Sequence, residues 1–248
     1  MTRDSSRTHQ SVRHSDHPAF VLHTYPYRET SLVVETFTRD FGRVPMVAKG
    51  AKRPKSALRG LLMPFQPLHL DWSGKAELRT LFKAEWQGGQ PLLQGTALMC
   101  GFYLNELLVR LLHRDDPHPP LFAYYQETLQ ALAAYQNHAP ILRRFERHLL
   151  RELGYALSLN HEAGTDKTIV AAQLYRYQIE HGPVVENGIA SDHGLPLLGK
   201  TLLDMERDDY SDPSTQQQSR ALMRYILNHY LGNAPLYTRQ LLKDLQQL

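Results

Sequence analysis

The sequence predicts an α+β protein in which a β-rich module precedes a mostly α-helical one. Two observations carry this reading. From Pro18 to about Gln87, short runs rich in β-branched and aromatic residues are broken by turn residues. After Gly88-Gly89 the apolar period lengthens to that of helices. Charge divides near the same point. Residues 1–90 hold fourteen Lys and Arg against eight Asp and Glu, a net of +6, whereas residues 91–248 hold fourteen against seventeen, a net of −3.

The strands follow in order. Ala19–Tyr25 and Thr30–Thr38 are separated by Pro26-Tyr27-Arg28-Glu29, a turn-length break. Arg43–Lys49 alternates, with Val44, Met46 and Ala48 on one face and Arg43 and Lys49 on the other; Pro45 marks an edge strand or a bulge. A short helical piece at Ser56–Leu62 comes next. Pro67–Trp72, the turn Ser73-Gly74-Lys75 and Ala76–Trp86 then form a hairpin. Its second strand points Leu78, Thr80, Phe82, Ala84 and Trp86 one way and Glu77, Arg79, Lys83 and Glu85 the other. Five short strands with such an insert match a Greek-key barrel of OB type over residues 18–87. Residues 1–17, with Arg3, Arg7, Arg13, His9, His14 and His17, are polar and lack the apolar stretch of a secretory signal, so they read as a disordered tail.

Residues 88–248 form the helical domain. Leu92–Leu112 is apolar on most sides, and Pro119–Tyr135 and Ala139–Leu153 follow, the latter with Gly154 as its C-cap. Residues 155–213 are irregular and dense in Gly, Asn, Asp and His. Thr215–Leu231 is amphipathic and stops at Gly232, and Thr238 caps a last short helix. The apolar and charged fractions, 42% and 21%, are those of an ordinary globular chain. The single cysteine, Cys100, rules out an intrachain disulfide and a four-cysteine zinc module; within its apolar run it reads as a small buried hydrophobe. No uncharged run of about 18 apolar residues occurs, so no membrane-spanning helix is expected.

The strongest chemical signal is a run of cations. Between Asp40 and Asp71 there is no carboxylate, yet Arg43, Lys49, Lys52, Arg53, Lys55 and Arg59 fall there. Gly50 and Pro54 make Lys49–Lys55 a loop. Cations without internal counter-ions take anions from elsewhere, and a phosphate backbone supplies them. Arg79 and Lys83 enlarge the patch if their face coincides, and Tyr25, Tyr27, Phe41, Phe65 and Trp72 supply one or two rings for base stacking.

Other motifs carry less. Gly194-Leu195-Pro196-Leu197-Leu198-Gly199-Lys200-Thr201 matches the phosphate-binding pattern G-x-x-x-x-G-K-[ST]. That chemistry needs a buried strand before the loop and a parallel sheet around it, whereas Glu186–His193 is polar and only 47 residues follow. Lys200 is read instead as the start of an ordinary helix. His161, His181 and His193 have spacings that fit no ligand pair and read as surface histidines. The acidic run Asp204, Glu206, Asp208 and Asp209 reads as a solvated helix end. No catalytic nucleophile is defined.

Several motifs resemble, in order and spacing, the RecO family of bacterial DNA repair proteins. They include Ala19-Phe20-Val21-Leu22-His23, Glu29-Thr30-Ser31-Leu32, Phe41-Gly42-Arg43-Val44, Val47-Ala48-Lys49-Gly50-Ala51 and Leu62-Met63-Pro64-Phe65. The similarity continues through Tyr103-Leu104-Asn105-Glu106-Leu107, Leu142-Arg143-Arg144-Phe145-Glu146 and Leu153-Gly154-Tyr155 to Tyr230-Leu231-Gly232, Pro235-Leu236 and Arg239. The resemblance implies a cytoplasmic, nucleoid-associated recombination mediator without a catalytic centre or cofactor. Such a protein binds single- and double-stranded DNA, anneals complementary strands and works with RecR to load RecA onto strands coated by single-strand binding protein (SSB). It also implies that the basic loop contacts DNA and that the SSB tail docks at Leu142 and Arg143. Some relatives carry four cysteines and zinc after the third long helix; this chain has no cysteine there, so no metal is expected.

A non-enzymatic DNA-binding and annealing protein is therefore expected. The rivals are a metal-dependent nuclease built on residues 204–209 and a protein adaptor without direct DNA binding.

Overall fold

The computed structural model describes residues 12–165, 167–186, 194–232 and 234–245; Arg3, Arg7, His9 and His193 lie outside the described residues. The chain divides into two compact units. One reaches to Leu92 and takes in Leu112–Phe122; the other holds Leu93–Leu111 and continues from Ala123.

The first unit is the expected five-stranded barrel. Strands β1 (Arg13–Tyr27), β2 (Ser31–Thr38), β3 (Gly42–Ala48), β4 (Pro67–Ser73) and β5 (Arg79–Trp86) close in the order β1-β2-β3-β5-β4. The closing seam is the parallel pairing of Met46–Ala48 with Arg79–Leu81, and all other pairs are antiparallel. Val44, Met46 and Ala48 point into the core with Val34, Leu68, Leu70 and Trp72. Pro45 sits just before the rungs with β5 begin, where its missing N–H costs that ladder nothing.

Three expectations are corrected. Arg13–His17, read as tail, belong to β1, with Arg13 opposite Ser73 and His14 opposite Trp72. His14 stacks on the Trp72 indole at 4.9 Å, a cross-strand contact that polar composition alone conceals. Ser56–Leu62 is not helical: Ser56, Arg59 and Leu61 each donate to the carbonyl three residues back, giving successive turns. On β5 the expected alternation fails, because Leu81 and Ala84 are buried while Phe82 and Trp86 are exposed. A bulge causes this. Leu81 pairs with Trp72 and Lys83 with Asp71, so Phe82 has no partner on β4.

Leu112–Phe122 packs with the barrel. The Phe122 ring lies 5.4 Å from both Phe20 and Phe37. Gly42 has φ +65°, and a Cβ there would fall 1.9 Å from the Asp116 carbonyl oxygen, so only glycine admits this close approach.

The second unit contains α1 (Gly95–Leu111), most of α2 (Pro119–Ala134) and α3 (His138–Glu152). The stretch 155–213, expected to be irregular, holds a small antiparallel sheet of β6 (Leu174–Gln178), β7 (Gly182–Val185) and β8 (Leu195–Leu198), ordered β7-β6-β8. Strands of four or five residues are too short to display alternation. Then come α4 (Gly199–Glu206), α5 (Pro213–Tyr230) and α6 (Tyr237–Leu245). Asp212 caps α5 by accepting from Ser214 N–H at 2.7 Å. The start of α6 is capped from α1: the Glu106 carboxylate accepts the N–H groups of Tyr237 and Thr238 at 2.7 and 2.9 Å. Thr238, expected to be the cap, instead donates its own hydroxyl to Glu106.

The G-x-x-x-x-G-K-[ST] match is a strand running straight into a helix. Leu195–Leu198 is β8, and Lys200 binds Asp204 and, at 2.8 Å, Asp212. Gly199 is there for packing, since a Cβ would sit 2.0 Å from the Val170 carbonyl oxygen. Gly199→Ala is expected to cost about 1–3 kcal/mol as an overpacked position. Thermal melting checks this, and a variant as stable as the parent would contradict the packing described.

Candidate nucleic-acid interface

The loop between β3 and β4 is built with apolar residues inward and cations outward. Ala51 and Leu62 are buried in the barrel core, and Leu58 and Leu61 pack against it. The backbone is tied down as well: Lys52 N–H donates to the Thr30 carbonyl at 2.9 Å and Arg53 N–H to the Gly50 carbonyl at 3.0 Å. Gly50, at φ +69°, supplies the left-handed residue that this turn needs. Lys49, Lys52, Arg53, Lys55 and Arg59 are exposed, and none has a carboxylate within ion-pair distance among the described residues. Five cations on one pinned loop form a positive surface with no local neutralisation.

The strand cations behave differently. Arg43 is half-buried; it donates to the Leu112 carbonyl at 3.1 Å and pairs with Glu35 at 3.4 Å. Arg79 pairs with Asp115 at 2.7 Å and Lys83 with Glu85 at 2.6 Å. Arg114 joins Glu35 and Glu77. Thus Arg43 and Arg79 are engaged in holding the 112–115 segment on the barrel. The expected enlargement of the patch through these strands is not formed.

The structure adds one cation from a neighbouring turn. Arg28, exposed at φ +50°, lies in the β1–β2 connection, whose Thr30 carbonyl anchors Lys52. Strand directions place this turn, the 49–66 loop and the exit of β5 at the same barrel end. Of the aromatic candidates, Phe65 and Trp72 are buried, Phe41 packs partly against the core, and Tyr27 is partly buried with the Arg28 guanidinium 5.2 Å from its ring centre, which leaves Tyr25 exposed.

In the helical unit, Arg143 is not open to solvent. It is buried and bonds Glu146 at 2.6 Å; Glu146 also accepts the Tyr103 hydroxyl at 2.6 Å, and Arg239 donates to Tyr103 at 3.1 Å. Burial pushes the Glu146 carboxyl above its ordinary range, and the Arg143 charge opposes that shift. One face of α3 instead borders a cavity of about 520 Å³ lined by Tyr124, Arg144, Arg147, His148, Arg151 and Leu157 among others. Arg144 pairs with Asp208 at 2.5 Å, whereas Arg151 contacts His148 and has no carboxylate partner among the described residues. Burial and the Arg151 charge hold His148 below the usual imidazole value.

The acidic run is occupied. Asp204 takes Lys200 and the Thr215 hydroxyl, Asp208 takes Arg144, and Glu206 lies 3.8 Å from Arg147. No group of three or more His, Cys, Asp or Glu placed to hold a metal occurs among the described residues. Burial pushes the Cys100 thiol up to about 11, as suits a core position rather than a nucleophile. No helix of the described residues is long and apolar enough to cross a membrane.

Comparison with known proteins covers nearly the whole chain. Two family models match, Recombination protein O N terminal over residues 13–89 and Recombination protein O C terminal over residues 92–240. The DNA repair protein RecO of Nitrosospira multiformis is 62% identical over 236 residues, 95% of this chain and 98% of that protein. The DNA repair protein RecO of Aromatoleum aromaticum is 58% identical over 240 residues, covering 96% and 99%. That of Burkholderia pseudomallei is 54% identical over 246 residues, covering 99% and 89%. The N-terminal match begins at Arg13, the first residue of β1.

Proposed function

The chain belongs to the recombination protein O family, and on that footing we propose that it is a DNA-binding and strand-annealing recombination mediator. It grips phosphates with Lys49, Lys52, Arg53, Lys55 and Arg59, joined by Arg28, and it works with RecR to load RecA onto SSB-coated single strands. The observation that carries this reading is the cluster of exposed, unpaired cations on a loop whose backbone and apolar side chains are fixed to the barrel. Such a surface neutralises phosphate repulsion between two strands and leaves base edges to pair. The cations lie on a loop and not on a base-reading helix, so little sequence preference follows.

SSB docks through its acidic tail on the helical unit. Because the Arg143 charge is spent on Glu146, the tail's carboxylates meet the cavity side of α3, where Arg151 is the unneutralised cation. Arg151→Ala is expected to weaken a tail peptide about tenfold or more, as loss of a charged hydrogen bond does; fluorescence anisotropy of a labelled peptide measures this.

The functional test is annealing of complementary strands coated with SSB. The protein is expected to accelerate pairing, and deletion of the SSB tail to abolish most of that acceleration. Pairing no faster than in its absence would refute the proposal.

A further inference from the structure

We propose that Phe82 and Trp86, on the open edge of β5, form a stacking platform for the unpaired bases of a single strand whose phosphates lie on the Lys49–Arg59 loop. This deepens the DNA-binding reading and rests on it.

Three observations converge on these residues. Phe82 is 52% exposed and Trp86 58% exposed, large apolar rings open to solvent on a strand whose Leu81 and Ala84 are buried. The β4–β5 bulge falls at Phe82, and a bulge re-aims the side chain it carries. Without it, the strict alternation would send Leu81 outward with Lys83 and Glu85. The rings are also held at useful places. Trp86 Nε1–H donates to Gln66 Oε1 at 3.1 Å, which fixes the indole beside the last residue of the 49–66 connection. The Arg13 guanidinium lies 5.9 Å from the Phe82 ring centre.

Register supplies the link to the cations. The parallel β3–β5 pairing ends at Ala48 opposite Leu81. The next residues on the two strands are Lys49 and Phe82, so the first loop cation and the first outward ring leave the last rung together. Beyond it β3 gives way to the loop, and β5 runs on through Trp86 with that edge unpaired. Rings beside a row of unneutralised cations suit a ligand with alternating flat apolar faces and negative charges. A single-stranded nucleic acid has that chemistry, and its bases offer π-faces that a duplex keeps stacked internally.

The test compares three probes at one salt concentration: an oligothymidylate, an abasic strand with as many phosphates, and a duplex. The parent protein is expected to bind oligothymidylate at least about tenfold tighter than the abasic strand. Phe82→Ala and Trp86→Ala are each expected to lose roughly five- to a hundredfold on oligothymidylate and to keep abasic and duplex affinity. Phe82→Trp should retain binding. Indole fluorescence should be quenched by oligothymidylate and not by the abasic strand, because Trp72 is buried and Trp86 is not. Equal affinity for base-bearing and abasic strands, or alanine variants that weaken all three probes alike, would overturn the platform while leaving the phosphate grip intact. Failure of every probe to bind would overturn both.

Discussion

Replacing Lys52, Arg53 and Lys55 together by alanine is expected to lower single-strand affinity about a hundredfold at 0.1 M salt, and annealing with it. Each phosphate contact on a single strand contributes about 0.7 to the slope of log K against log salt, so three lost contacts amount to about two decades at that concentration. The fold should survive. These side chains point away from the core, and Ala51, Leu58, Leu61 and Leu62 anchor the loop independently. The comparison that gives the result meaning is Lys83→Ala. Lys83 is also a barrel-unit cation but is already paired with Glu85, so its loss should change affinity by less than about threefold, as for an exposed ion pair of small energy. Electrophoretic or anisotropy titrations of both variants decide the matter. A triple variant that binds like the parent would remove the loop from the interface.

The second large effect is on stability. Arg143→Ala leaves the fully buried Glu146 carboxylate with the Tyr103 hydroxyl as its remaining close partner, and an uncompensated buried charge costs about 3–5 kcal/mol. The pH dependence has a definite sign. Burial already raises the Glu146 carboxyl above the ordinary carboxylate range, and removing the nearby cation raises it further. A raised folded-state value means that the protonated form is tolerated at low pH and that stability is lost as pH rises through it. The variant should therefore be closer to the parent at pH 5 than at pH 8. Arg143→Leu combined with Glu146→Leu should recover most of the loss, because no charge is then left alone. Urea unfolding at both pH values measures this; a pH-independent deficit would show that the cost is lost packing and not stranded charge.

What was legible in the sequence depended on how local the signal was. β3 alternates in sequence, and Val44, Met46 and Ala48 do enter the core, so its inward face follows from the residues alone. The loop cations were legible because their lack of nearby acids is a property of one segment. Arg28 was not, since the β1–β2 turn meets the loop only through barrel closure. β5 misled because its bulge depends on Asp71 and Trp72 of the neighbouring strand. Arg43 and Arg79 looked like their loop counterparts until residues 112–115 returned to the barrel carrying Asp115 and the Leu112 carbonyl. In α3, Arg143, Arg147 and Arg151 share i, i+4 spacing, yet at 3.6 residues per turn eight residues rotate by about 80°. That rotation is enough to carry the stripe from the interior at Arg143 to the cavity at Arg151.

On the proposed reading, the barrel-end loop meets a polyanion through cations that have no carboxylate partner among the described residues. The most direct test of that reading is the slope of log affinity against log salt for a single-stranded oligonucleotide. With about five phosphates engaged, the slope should be near −3.5, a loss of roughly a hundredfold between 50 and 200 mM, and should fall to about −1.4 in the triple alanine variant. A shallow slope in the parent, or the same steep slope in both proteins, would contradict it.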